Sequence, residues 1–109
     1  MKNQSFKVRF ETVNPLQEGM SQVGLWRSIT FTVRLIDEDG DDGQTMVLRA
    51  RGRVALCINY MMQDNQLDGV FRVAVRFGTH TYWGSDDQQH TINDIVCLHF
   101  DKDDEEAWP

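Results

Sequence analysis

Thr45-Met46-Val47-Leu48-Arg49-Ala50-Arg51-Gly52-Arg53-Val54-Ala55-Leu56-Cys57-Ile58-Asn59-Tyr60-Met61-Met62-Gln63 is the stretch whose reading decides the fold. Even positions from Met46 to Tyr60 are largely apolar, whereas Arg49, Arg51 and Arg53 occupy odd ones. Taken as one strand this run would reach roughly 50 Å, at about 3.3 Å per residue. A domain of this length has a radius of gyration near ~13 Å, so the run must break. Gly52 is the break. Beyond it Val54, Cys57, Ile58 and Met61 fall at i, i+3, i+4 and i+7, the spacing of one helix face. The pattern predicts strand 45–51 followed by helix 53–63.

Working outward, strands are expected on both sides. Residues 25–35 alternate Leu25, Arg27, Ile29, Phe31, Val33 and Leu35 against Trp26, Ser28, Thr30, Thr32 and Arg34, with β-branched and aromatic residues that suit a pleated sheet. Residues 37–43, Asp-Glu-Asp-Gly-Asp-Asp-Gly, are turn material and make 25–35 and 45–51 a hairpin. Residues 6–13 place Phe6, Val8, Phe10 and Thr12 on one face, and Asn14-Pro15 ends them. The segment from there to Gly24 reads as a loop pivoting on Gly19. Val70 to Phe77 alternate again, Gly78-Thr79 suits a two-residue turn into a short strand 80–83, residues 84–91 read as a polar loop, and Ile92 to Phe100 supply a last strand.

The fold class expected is α+β and β-rich: an antiparallel sheet, or a small OB-like barrel of five to six strands, with one helix. A helix between the third and fourth strands fits a five-stranded Greek-key barrel, and equally an open sheet packed on one helix. One domain over residues 1–100 and an acidic tail over 101–109 is the expected division. No apolar run approaches the roughly 20 residues that span a bilayer, and the first residues lack a secretory pattern, so a cytoplasmic location is expected. Cys57 and Cys97 then read as reduced, small hydrophobes.

The formal net charge of −6 is unevenly spread. Residues 1–76 hold ten Lys/Arg against nine Asp/Glu, whereas residues 77–109 hold Lys102 against eight acids. Chemistry at these groups finds little support. Asp37, Asp39 and Asp41 alternate as in a calcium loop, but an EF-hand wants Gly sixth and Glu twelfth, where Asp42 and Leu48 stand. Cys57, Cys97, His99 and His80 or His90 lack the paired spacing of a zinc motif. Neither a nucleophile elbow nor a phosphate-cradling glycine loop is present in the sequence. The reading is therefore non-catalytic, with no cofactor and no metal.

Two binding readings remain. The leading one is a protein-binding module of inhibitor, immunity or adaptor type, in its sharper form a phage or mobile-element anti-defence protein. Its acidic Asp37, Asp39, Asp41, Asp42, Asp103, Asp104, Glu105 and Glu106, with Trp108, would engage another protein through a basic surface. The alternative starts from the arginines. Eight of the eleven basic residues are Arg, and Arg9, Arg34, Arg49, Arg51, Arg72 and Arg76 alternate with core-facing residues, so they point outward. Gathered on one face with Trp26 or Trp83 as a stacking surface, they suit an OB-like single-stranded nucleic-acid binder. The terminal Asp103-Asp104-Glu105-Glu106-Ala107-Trp108-Pro109 resembles in composition the acidic, hydrophobic-tipped tails of bacterial and phage single-stranded DNA-binding proteins, without the long linker that precedes them. That resemblance implies a tail that recruits partner proteins and competes with DNA for the basic face. The long strand 25–36 also leaves edge-to-edge homodimer pairing open.

Overall fold

The computed structural model describes residues 3–37 and 42–103. Six strands and one helix follow in the order β1 (Asn3–Val13), β2 (Gln17–Ser21), β3 (Gly24–Ile36), β4 (Asp42–Arg51), α1 (Gly52–Gln63), β5 (Phe71–Trp83) and β6 (Gln89–Lys102). β1 pairs antiparallel with β5 through its first half and with β3 through its second, and Val8 faces Phe71 on one side and Leu35 on the other. β3 pairs with β4, β4 runs parallel to β6, and β6 returns antiparallel to β5. The circuit β1-β3-β4-β6-β5-β1 is closed, with β2 appended to the outer end of β3. This is the OB-like barrel rather than the open sheet.

Alternation fills the barrel. Val8, Ile29, Phe31, Val33, Leu48, Ala50, Phe71, Val73, Val75 and Cys97 are buried, and no polar side chain is buried with them among the described residues. Phe10 joins three strands, stacking on Phe31 at 5.1 Å and meeting Phe71 edge-on at 5.2 Å. Such ring pairs add about 0.5–1.5 kcal/mol each beyond the area they bury. The helix turns Ala55 and Ile58 onto this core, with Val54 and Met61 at its margin. Gly52 makes the strand-to-helix step at φ +60°, a region that costs other residues a steric penalty. Asn65, at φ 55°, follows the helix, and the Gln66 N–H donates to the Met61 carbonyl at 2.8 Å.

Three local expectations are corrected. The register slips between Phe10 and Thr12, so Val13, not Thr12, turns toward the core. A bulge resets the alternation there. Residues 17–21 form a strand, not a loop, because Gly19 lets the Trp26 ring lie on it: a Cβ at Gly19 would sit 2.5 Å from that ring. Gly78-Thr79 is not a turn. Gly78 faces Asp94 inside a continuous ladder that extends to Trp83 and Gln89. The chain reverses instead at residues 84–88, where the Gly84 N–H donates to the Gln88 carbonyl at 2.9 Å and Asp87 takes φ 59°. The projecting β5–β6 and β2–β3 hairpins belong to a molecule 57 Å long and 26 Å wide, with a radius of gyration of 15.7 Å.

Candidate nucleic-acid interface

Side chains directly opposite one another in a ladder share a face, so the register alone gathers residues on the barrel's outer wall. On β3 and β4 the outward pairs are Ser28 with Arg51, Thr30 with Arg49, Thr32 with Val47 and Arg34 with Thr45. One rung continues across the parallel seam. Val96 of β6 is the partner of Arg49 on one side and of Arg76 on the other, and Arg76 in turn faces Asn3. Arg49 and Arg76 thus flank one valine, roughly 10 Å apart at two strand spacings.

Asp94, two residues before Val96 on β6, supplies the counter-charge. Its Oδ1 lies 3.3 Å from Arg49 Nε and its Oδ2 accepts from Arg51 Nη2 at 3.2 Å. Arg49 Nε is itself shielded and makes no hydrogen bond, so Asp94 is its electrostatic partner only. Arg76 has no ion pair among the described residues. Arg51, Arg76, Phe77, Asp94 and Val96 line a hollow of about 610 Å³, with Phe77 and Val96 as its apolar part. A smaller hollow of about 170 Å³ continues it over Thr30, Val47 and Asn93.

The other strand arginines sit elsewhere. Arg9 faces Arg34 across the β1–β3 ladder, and Arg34 pairs with Glu11, the bulge residue, while also donating to the Gly43 carbonyl at 3.1 Å. Arg72 lies between Lys7 and Asp101 in register, and Lys7 meets Asp103 at 3.3 Å. The six arginines therefore divide, and Arg49, Arg51 and Arg76 are the three that converge. Trp26 is 44% exposed on the β2–β3 hairpin and Trp83 is 73% exposed on the β5–β6 hairpin. Near the tip of the latter, His90 Nε2 stands 3.0 and 3.1 Å from the Asp86 carboxylate oxygens. That contact, with the Gln88 N–H, holds the Asp86 carboxyl below its ordinary range.

Three of the acidic set lie among the described residues. Asp37 is exposed at the end of β3, and the Asp42 backbone pairs opposite Ile36. Asp103 donates its N–H to the Val70 carbonyl at 2.8 Å and pairs with Lys7. Asp39, Asp41, Asp104, Glu105, Glu106 and Trp108 lie outside the described residues. Sequence reasoning missed Asp94, Val96 and Phe77. Only the parallel β4–β6 pairing brings them beside Arg49, and no periodicity in either strand announces that pairing.

No family model matches the chain, and no curated protein sequence does. Solved structures do match. The mitochondrial single-stranded DNA-binding protein Rim1 of S. cerevisiae superposes with a TM-score of 0.55 at 13% identity, covering 92% of each chain. The Plasmodium falciparum single-stranded DNA-binding protein, solved in complex with single-stranded DNA, gives 0.50 at 11% identity over 93% of this chain and 91% of its own. A deletion variant of the Thermus aquaticus single-stranded DNA-binding protein gives 0.50 at 18% identity over 92% of this chain and 49% of its own. The chain is similar in fold to single-stranded DNA-binding proteins. The reading as an acidic inhibitor, immunity, adaptor or anti-defence module is corrected on this finding: these neighbours are single-stranded DNA-binding proteins, and a protein partner with a basic surface finds no support among them.

Proposed function

We propose that the chain binds single-stranded nucleic acid, DNA in the first instance, across the outer face of β3 and β4 and the hollow beside it. The observation that carries this reading is the rung Arg49–Val96–Arg76, with Arg51 beside it and Asp94 as the acid they share. OB-type barrels take oligonucleotides on the face of their second and third barrel strands and on the loops before and beyond them. Here those strands are β3 and β4, and the flanking hairpins carry Trp26 and Trp83. Guanidinium forks suit phosphate, and exposed indole rings suit unstacked bases. Duplex DNA hides its bases from such rings and is the weaker ligand.

The net charge of −6 does not oppose this reading, because among the described residues Asp94 is the one acid paired with any of the rung's three arginines. In the same proposal the acidic residues after Asp103 compete with DNA for the arginines and recruit partner proteins. Fluorescence anisotropy with labelled oligo-dT, over a salt series, tests both parts. The full chain is expected to bind at low salt with an affinity that falls steeply as salt rises, and a chain ending at Asp103, which keeps all of β6, is expected to bind more tightly. Absence of binding by both chains sinks the reading. Equal affinity of the two removes the tail from it.

A further inference from the structure

Asp94 is out of place on a face meant for phosphates. A carboxylate there cancels positive charge, and a site built for net attraction alone would omit it. Its geometry indicates another use. The carboxylate is only 19% exposed, beneath Arg49 at 40% and Arg51 at 60%, so it lies under the two guanidinium groups rather than in front of them. Each oxygen serves one arginine: Oδ1 meets the inner nitrogen of Arg49, and Oδ2 one terminal nitrogen of Arg51. The two terminal nitrogens of Arg49 and the remaining one of Arg51 carry no ion pair among the described residues. A guanidinium offers five N–H donors, so most of both forks stays available outward.

We propose that Asp94 is a positioning residue that holds Arg49 and Arg51 as a preformed pair of donors for a backbone phosphate, seated where the hollow lined by Arg51 and Arg76 meets the smaller one lined by Arg49. The assignment rests on the single-strand reading and deepens it. An unanchored arginine on an exposed strand samples many rotamers and must be ordered when ligand arrives, whereas an anchored one has been ordered by folding. Three features fit one phosphodiester. Arg76 stands on the opposite wall without a counter-ion among the described residues, Val96 fixes the width between the walls, and Phe77 with Val96 gives the adjoining sugar or base an apolar surface.

The sign of one substitution decides between anchor and bystander. D94N removes a negative charge from a basic face, so a bystander acid predicts tighter binding of oligo-dT. An anchor predicts the reverse: about eightfold weaker binding at about 50 mM salt, with a salt slope shallower by ~0.7, the value of one lost phosphate contact on a single strand. D94E, which keeps the carboxylate, is expected to bind within about twofold of the unaltered chain, on the same charge-assisted contacts. The side-chain Nε–H resonances of Arg49 and Arg51 supply a readout that needs no DNA: sharp and dispersed in the unaltered chain, broadened and collapsed in D94N. Thermal melts confirm folding, and D94S replaces D94N if the latter does not melt cooperatively. Equal or tighter binding by the neutral variant, or unchanged arginine resonances, overturns the assignment. An unaltered chain that binds no oligonucleotide sinks the single-strand reading instead, and the resonances still decide the anchor.

Discussion

Two rungs of one barrel wall carry basic residues, and they differ in what stands opposite. In the first, Arg49 and Arg76 flank Val96, and one acid, Asp94, is shared with Arg51. In the second, Arg72 lies between Lys7 and Asp101, and Asp103 closes on Lys7. Counted in formal charge, the first holds three arginines against one acid and the second two cations against two acids. The first keeps an excess of positive charge; the second is matched by its own neighbours, as most exposed arginines are. Outward orientation is common to both, so orientation does not decide the net charge of a rung. The identity of the residue one strand away does.

The strongest way to break this comparison is to neutralise cations in matched pairs. On the counterion-release slope for single strands, one phosphate contact is worth about eightfold in affinity at about 50 mM salt. Arg49→Gln with Arg51→Gln is then expected to weaken oligo-dT binding about fiftyfold and flatten the salt dependence by ~1.4. Arg72→Gln with Lys7→Gln removes the same charge from the second rung, where Asp101 and Asp103 already stand against it. That pair is expected to cost less than about threefold, the share of long-range charge alone. Titrations of the two double variants across a salt series give the answer, and equal losses would make the binding surface diffuse rather than the rung.

How far the sequence discloses this difference can be followed residue by residue. Alternation identifies the outward arginines and the core, and Gly52 with the 3.6 spacing beyond it marks the strand-to-helix switch correctly. A helix after the third predicted strand narrows the topology to two candidates. What alternation does not carry is pairing between strands distant in sequence. Asp94 reads as one more acid in an acidic third of the chain until β6 is laid parallel to β4, where it lies under Arg49 and Arg51. The same holds for Glu11, whose bulge needs β3 opposite it to exist. Gly19 is a different case: a lone glycine amid polar residues suggests a loop, and only the Trp26 ring on top of it explains the strand.

That ring gives a second, smaller test, which asks whether the charged rung suffices without a stacking surface. Gly19→Ala places a methyl group where the Trp26 ring lies, so the indole must move although no charge changes. A base stacked on an aromatic side chain contributes about 1–3 kcal/mol. Misplacing the ring is expected to weaken oligo-dT binding about tenfold with the salt slope unaltered, the same loss appearing in Trp26→Ala. An unchanged affinity in both variants would assign the interface to arginine alone and leave Trp26 a packing residue of the β2–β3 hairpin.

The smallest expected effect concerns the seam on which the rung depends. β4 and β6 are joined in register at Arg49 and Val96, a far shorter ladder than the one joining β5 and β6. Cys97, next to Val96, faces inward and is buried, while Cys57 on α1 is exposed. Burial pushes the Cys97 thiol up to about 11, with a backbone contact at His99 opposing only in part. At pH 8 only about one Cys97 in a thousand is then a thiolate, since each pH unit below the pKa is tenfold. A disulfide reagent should modify Cys57 promptly and Cys97 only when the seam opens. A strand of nucleic acid lying across Arg49, Val96 and Arg76 spans that seam, so saturating oligo-dT is expected to slow Cys97 labelling about threefold or more in a Cys57→Ser chain, as any ligand selective for the closed state must. Labelling that is unchanged by bound oligonucleotide would place the strand away from the rung, and would favour the β2–β3 and β5–β6 hairpins as its main contacts.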